Sequence, residues 1–272
     1  METLEILRET SNLRTHVFDV QVRRVDLDAN GHVNNGTYQS YFEEARIAAI
    51  SESDEDWFSG NNSEKLPSPF GSVSLEYKAE LRHPNSARIV TFLPQSKTAK
   101  FEIVQEMYRQ SDNVLVAVAR FRSVDPEKKS RSPGYEAIKY FDHSIDIRWT
   151  DMSPENHPFL SALQYYFDDA RIKSFWKVGI DLNKMNKDGI GPVIYKATIE
   201  YFDSLHFPET ISVRTRFERG EKNRLVIVQD IFRENGNVHV CRGNFYGLFM
   251  NLHSKRPYRF SEEEFNKFLL NE

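Results

Sequence analysis

An internal repeat is the feature that most constrains how this chain can fold. Residues 41–46 (Tyr-Phe-Glu-Glu-Ala-Arg) recur as residues 166–171 (Tyr-Phe-Asp-Asp-Ala-Arg), 125 residues later. Two more segments recur in the same order, each 124 residues later: residues 75–77 as 199–201 and residues 103–109 as 227–233. A chain that carries one structural unit twice is expected to fold as two similar halves.

The boundary between the two units is predicted from composition. Residues 125–134 are polar and contain two prolines and one glycine, which is typical of a linker. We therefore predict a first unit over residues 1–130 and a second unit over residues 131–272. The second unit is expected to end in a short helix, because Ser261 and Glu264 have the spacing of a capping box.

Hydrophobic periodicity predicts the same order of elements in each unit. In the first unit, a strand near residues 14–25 precedes a helix near residues 36–58, whose apolar side chains recur with helical spacing. Four strands are expected next, near residues 70–82, 87–95, 99–109 and 114–124. Residues 110–113 in the first unit and residues 234–237 in the second lie between apolar runs at matching positions. The second segment contains Asn235-Gly236, which is typical of a hairpin. One strand, one long helix and a run of antiparallel strands predict an α+β fold.

A polar loop separates the first predicted strand from the first predicted helix. Residues 26–35 contain two aspartates, three asparagines and one histidine. A helix start offers unpaired N–H groups and the positive end of a dipole, which can hold an oxyanion. A carboxylate beside it can attack a substrate or activate water. The same residues also fit a plain turn in which Asp28 or Asn30 serves only as a cap.

Composition limits the classes of function. The net charge is −4 and no basic run occurs, so no nucleic-acid partner is expected. Cys241 is the only cysteine, which excludes an internal disulfide and a thiolate metal cluster. No apolar stretch has membrane-spanning length, and the N-terminus lacks the order of a signal peptide. We expect no membrane partner and a reducing compartment, the cytoplasm.

The motif in and after the polar loop resembles the signature of hotdog-fold thioesterases. Residues 28–35 follow the pattern D-x-N-x-H-V-N-N, which resembles plant and bacterial acyl-ACP thioesterases. The D-A-x-G and Y-F-E-x-A-R parts resemble the 4-hydroxybenzoyl-CoA thioesterase group. The resemblance implies two tandem hotdog units, each a curved antiparallel sheet wrapped around a long central helix. The units would pack as an intrachain pseudo-dimer, which can assemble further into a homo-oligomer.

The resemblance also implies an activity and a set of catalytic residues. The expected enzyme is an acyl thioester hydrolase that releases a carboxylic (fatty) acid from acyl-CoA or acyl-ACP. Asp28 would attack the carbonyl or activate water, and Asn30 would orient the substrate or the water. His32 would position or polarise the reacting groups; its alternative role is that of a hydrogen-bonded loop histidine. Glu80 ends a segment, residues 75–80, that resembles the plant motif L-E-Y-R-R-E, whose final glutamate is an active-site acid.

The oxyanion is expected to bind at the start of the central helix. Backbone N–H groups near Asn34, Asn35 and Gly36 would hold the carbonyl oxygen of the thioester. The two asparagine side chains are also suited to shaping the loop, because Asx side chains bond to their own backbone. This chemistry needs neither a metal nor an organic cofactor, so none is expected.

The repeat allows the two predicted sites to be compared within one chain. At an offset of 125 residues Asp28 corresponds to Ser153, and at an offset of 124 residues Glu80 corresponds to Ser204. His32 corresponds to His157, and Asn30 corresponds to Glu155. Since both acids are lost together, we predict one working site in the first unit and one structural copy in the second.

Two features leave other functions open. Plant acyl-ACP thioesterases carry the motif in their second hotdog unit, so its position in the first unit here weakens any transfer of acyl-ACP specificity. Residues 206–208 (His-Phe-Pro) resemble a motif of hotdog dehydratases, but they follow the strand at 199–201, where a turn is expected. The alternatives are a non-catalytic protein that binds acyl thioesters and a hotdog hydratase or dehydratase.

Overall fold

The computed structural model describes residues 13–53, 70–95, 100–123, 140–154, 156–221 and 224–269. Three sequence-based expectations lie outside these residues: the linker at 125–134, the last part of the first helix at 54–58, and Glu155 as the counterpart of Asn30.

The described part of the first half contains one long helix and five strands. These elements are β1 (Leu13–Gln21), α1 (Asn35–Ser51), β2 (Phe70–Tyr77), β3 (Ser86–Pro94), β4 (Glu102–Arg109) and β5 (Val114–Ser123). Their order agrees with the prediction, but the strand expected over 70–82 ends at Tyr77. It ends there because the amides of Lys78 and Ala79 both donate to the Val116 carbonyl, which turns the chain out of the ladder.

The second half repeats this order and adds two short helices. Its elements are β6 (Phe141–Asp146), α2 (Leu160–Lys177), α3 (Leu182–Lys187), β7 (Ile190–Tyr201), β8 (Thr210–Arg219), β9 (Leu225–Arg233), β10 (Val238–Asn251), β11 (Arg256–Pro257) and α4 (Glu262–Asn266). The capping box predicted at Ser261 and Glu264 is present at the start of α4. The helix α3 was not predicted, since six residues are too few for a hydrophobic period to show.

All strands of the described residues belong to one antiparallel sheet. Its order is β1-β3-β4-β5-β2-β7-β10-β9-β8-β6, with β11 paired to β10. The order within one half is therefore the reverse of the order in the other, and β2 and β7 join the halves. In that junction Ser74 pairs with Thr198, with Val73 opposite Ile199 and Leu75 opposite Ala197. This register is symmetric about Ser74 and Thr198.

The core lies between the sheet and the two long helices. The apolar face predicted for α1 is buried; its residues are Tyr38, Tyr41, Phe42, Ala45 and Ala49. Arg46 is also buried, and its guanidinium lies 3.9 Å from the Phe121 ring centroid. The second half repeats this contact, with Arg171 4.3 Å from the centroid of Phe245. Among the described helices, none combines the length and hydrophobicity that crossing a bilayer would require.

Candidate active site

The polar loop before α1 is a closed turn built around Asp28. The Asp28 N–H donates to the His32 carbonyl at 2.8 Å, and the Gly31 N–H donates to the Asp28 carbonyl at 3.0 Å. Gly31 has a φ of +74°, a backbone conformation that glycine adopts without a steric penalty. The Asp28 carboxylate accepts the Asn30 N–H at 2.8 Å. Asp28 therefore shapes the loop, and it also lines the cavity described below.

His32 and Glu80 meet at one side of this loop. His32 Nε2 lies 3.0 Å from Glu80 Oε2, and Arg82 Nη2 also contacts Nε2 of His32. Glu80 accepts hydrogen bonds from Arg82 Nε at 3.1 Å and from Lys255 Nζ at 2.8 Å. Lys255 belongs to the second half, so both halves contribute to this cluster.

The pKa values of the two groups shift in the same direction for different reasons. Burial raises the pKa of Glu80, but the hydrogen bonds from Lys255 and Arg82 and the charges of His32 and Arg82 lower it to about 2. Burial lowers the pKa of His32, Glu80 opposes this effect, and Arg82 adds to it. The site therefore contains an ionised Glu80 beside a neutral His32 at pH 7.

The start of α1 offers fewer free amides than the sequence predicted. The Asn34 N–H donates to the Asp26 carbonyl at 3.1 Å, and the Gly36 N–H donates to Asn34 Oδ1 at 2.7 Å. Asn34 is therefore the N-cap of α1, the loop-shaping role considered for it. Within the described residues the Asn35 N–H has no hydrogen-bond partner. Of the three amides predicted to hold an oxyanion, those of Asn34 and Gly36 therefore already donate within the protein.

A cavity of about 580 Å³ lies between the two halves at this point. Its volume is within the range of roughly 300–1,000 Å³ that is usual for ligand pockets. The first half contributes polar side chains, and the predicted site residues that line the cavity are Asp28, Asn30, His32, Asn34, Asn35 and Glu80. The second half contributes a mainly apolar wall, which includes Ile172, Phe175, Trp176, Val193, Leu248 and Phe249. Gly36 is not part of the lining.

The described part of the corresponding loop of the second half repeats two features of the turn before α1, with a serine in place of Asp28. The Ser153 N–H donates to the His157 carbonyl at 2.7 Å, and Asn156, at a φ of +64°, takes the place of Gly31. This confirms the alignment at an offset of 125 residues. Ser153 stands where the first half has Asp28, and its hydroxyl lies 3.3 Å from His157 Nδ1.

One of the two acids near the second loop, Asp151, has a structural role. Asp151 accepts the Tyr166 hydroxyl at 2.7 Å, as Asp26 accepts the Tyr41 hydroxyl at 2.6 Å in the first half. Asp151 is thus the counterpart of Asp26 and does not replace Asp28. Ser204, the counterpart of Glu80, is buried.

Of the cavity residues that were not predicted from the sequence, three polar ones from the second half stand out. Lys255 binds Glu80, Asn186 donates to the Ala29 carbonyl at 2.9 Å, and Asp168 lies on the cavity wall. None of them belongs to a motif of the polar loop. Only Asp168 could have been singled out from the sequence, because the repeat pairs it with Glu43. No cluster of side chains suited to hold a metal ion occurs in the described part of the chain.

Comparison with known proteins defines the family. The model of the thioesterase-like superfamily matches the chain twice, over residues 22–133 and 147–268. The chain therefore belongs to the thioesterase-like superfamily, and its recognition as a tandem member of the hotdog-fold thioesterases is confirmed. A comparison with curated protein sequences gives no match.

Two solved structures resemble most of the chain. An acyl-ACP thioesterase from Bacteroides thetaiotaomicron matches with a TM-score of 0.61 and 10% identity, over 86% of this chain and 97% of that chain. A 12:0-ACP thioesterase from Umbellularia californica matches with a TM-score of 0.63 and 11% identity, over 90% of this chain and 94% of that chain. At these identities the likeness establishes the fold alone.

Proposed function

We propose that this protein is an acyl thioester hydrolase, which releases a carboxylic acid from acyl-CoA or acyl-ACP. We further infer that its halves are hotdog units, each wrapped around its long helix and packed as a pseudo-dimer. One observation carries the proposal: Asp28, His32, Glu80 and Asn35 line one cavity whose opposite wall is apolar. An acyl chain fits the apolar wall, and the thioester would then lie beside the polar loop.

The proposed mechanism assigns a role to each of these groups. The Asn35 N–H donates to the thioester oxygen, where negative charge develops in the transition state. Asp28 accepts a proton from the attacking water, and the intermediate then breaks its C–S bond as the proton passes to the departing thiolate. In the alternative, Asp28 attacks the carbonyl carbon, the thiolate leaves, and water hydrolyses the resulting acyl-enzyme anhydride. Asn30, whose N–H and side-chain amide both donate to Asp28, holds that carboxylate in place. His32, kept neutral and held by Glu80, positions the water or the substrate.

The decisive experiment measures thiol release from a panel of acyl-CoA and acyl-ACP substrates. Asp28→Asn is compared with Ser153→Ala, which changes the matching position of the second half. We expect the first variant to lose at least about 100-fold in kcat and the second to stay near wild type. Equal losses in both variants would contradict a single site in the first half.

The same panel separates this proposal from its alternatives. A binding protein would retain acyl thioesters without releasing thiol, whatever the chain length. A hydratase or dehydratase would change the absorbance of crotonyl-CoA, a 2-enoyl thioester, without cleaving it. Asp28 and Glu80, the two predicted acids that line the cavity, favour hydrolysis over both alternatives. Residues 206–208 lie after the end of β7 and not before a central helix, which argues against a dehydratase.

A further inference from the structure

The N-terminal amides of the two long helices, α1 and α2, are bound by different side chains. The N-cap of α2 is Phe159, which provides no side-chain cap. Glu43, from α1 of the other half, takes that role: it accepts the Leu160 N–H at 2.9 Å, the Ser161 N–H at 3.1 Å and the Ser161 hydroxyl at 2.8 Å. A carboxylate of the protein thus occupies the helix start of the second half.

These occupied amides are the counterparts of the candidate oxyanion donors. At the offset of 125 residues established by the two loops, Leu160 corresponds to Asn35 and Ser161 corresponds to Gly36. The carboxylate oxygens of Glu43 therefore lie where a thioester oxygen would have to bind in the second half. Because an amide N–H directed at one carboxylate oxygen is not free for a substrate oxygen, this helix start is closed.

The first half has a shorter acid at the corresponding position. Asp168 is the counterpart of Glu43 and lacks one methylene. It lies beside the start of α1, where the Asn34 side chain and the Gly36 backbone amide help to lower its pKa against the effect of burial, and it accepts hydrogen bonds from Gln164 Nε2 at 3.3 Å and from Arg171 Nη2. Its Oδ2 is buried and has no hydrogen-bond partner within the described residues. The Asn35 N–H stays open, and Asp168 itself lines the cavity.

We propose that the length of the acid at these two positions determines which half has an open thioester site. Glu43 closes the helix start of the second half by occupying its amides. Asp168, one methylene shorter, approaches Asn34 and Gly36 in the first half but leaves the Asn35 amide, the counterpart of the Leu160 amide, open to the cavity that both residues line. This inference rests on the proposed thioesterase site. It predicts that restoring the two lost acids alone, by Ser153→Asp and Ser204→Glu, leaves the second half inactive.

Asp168→Glu tests the proposal in the first half. The longer side chain should reach the Asn35 amide as Glu43 reaches Leu160. We expect kcat to fall by about 10²–10³, the loss seen when one oxyanion donor is removed. Asp169→Glu is the matched control, since it makes the same change at an exposed neighbour that pairs with Lys173. The control should retain kcat within about twofold. A folded Asp168→Glu variant that keeps kcat within about threefold would overturn the proposal.

Amide hydrogen exchange provides a readout that does not depend on turnover. In the wild-type protein the Leu160 amide should be protected at least about tenfold more than the Asn35 amide, after correction for intrinsic rates. Equal protection would overturn the proposal, even if the Asp168→Glu variant failed to fold. If the wild-type protein released no thiol from any substrate, the proposed function would fail, while the exchange comparison would still decide whether Glu43 closes the second helix start.

Discussion

His32 Nε2 and Glu80 Oε2 lie 3.0 Å apart, on two segments that leave the sheet at the same end. His32 belongs to the loop before α1, and Glu80 follows β2. Lys255 of the second half donates to Glu80, so this candidate site residue also forms a contact between the two halves. The positive charges around Glu80 are expected to make the stability of the folded protein depend on the ionisation of this carboxylate.

Glu80→Gln should reduce stability in a pH-dependent manner. The pKa of Glu80 is about 2 in the folded protein, below the value of 4.5 for an unperturbed glutamate. A lowered pKa stabilises the folded state above the unfolded value, and this contribution disappears as the pH falls from about 4.5 toward 2. Since the side chain is 35% exposed, we expect solvent to limit the difference to about 1 kcal/mol at pH 7.

Urea denaturation at pH 7 and pH 3 checks this expectation. The difference between the free energies of unfolding of the wild type and of Glu80→Gln should be smaller at pH 3 than at pH 7. A difference that stays constant between the two values would show that the ionised form of Glu80 is not what the surroundings stabilise.

Lys255→Met and Glu80→Gln should not be additive. Their side chains form an ion pair with an N–O distance of 2.8 Å between the halves, so a double-mutant cycle should give a coupling free energy of about 0.2–1 kcal/mol. Lys187→Met, at an exposed position of α3, is the matched control and should be additive with Glu80→Gln. A coupling of zero for Lys255 would mean that the contact does not contribute to the packing of the halves.

The activity should depend on the neutral form of His32. Burial, as the largest effect, lowers its pKa from the ordinary value of 6.5. The imidazole therefore stays neutral through pH 7 and becomes protonated only below 6.5. We expect kcat/KM to be constant between pH 7 and 8 and to fall at a pH below 6.5, and His32→Gln should remove that acidic limb. If the fall in kcat/KM had its midpoint above pH 6.5, the site would favour the protonated form of His32, contrary to this prediction.

The sequence predicted those elements that depend on residues close together in the chain. The buried face of α1, from Tyr38 to Ala49, follows from helical spacing, and the capping box at Ser261 follows from two residues three positions apart. The end of β2 was placed too late because Lys78 and Ala79 share the Val116 carbonyl, and a partner on another strand leaves no mark in the local sequence.

Contacts between the halves were beyond what the sequence could show. The partners of Glu80 and of the α2 amides, Lys255 and Glu43, come into reach only because β2 pairs with β7 and brings the helices together. The same limit applies to the predicted oxyanion site. The motif placed three residues at the helix start, but only the three-dimensional structure reveals that Asn34 and Gly36 already use their amides.

Gly36→Ala should destabilise the protein through a contact between the halves. A Cβ at this position would lie 2.4 Å from Cε1 of Tyr165, a side chain of α2. The α1 backbone and the Tyr165 ring would have to move apart, and overpacking of this kind costs about 1–3 kcal/mol. Thermal or urea unfolding of Gly36→Ala measures the loss.

The repeat supplies the compensating change. At an offset of 125 residues, Gly36 corresponds to Ser161 and Tyr165 corresponds to Ser40, so the second half combines a residue that has a Cβ with a small partner. Combining Gly36→Ala with Tyr165→Ser should therefore restore part of the stability, relative to the sum of the two single changes. Additive losses would show that the Tyr165 ring moves aside without cost and that the glycine is not required for the approach of the two helices.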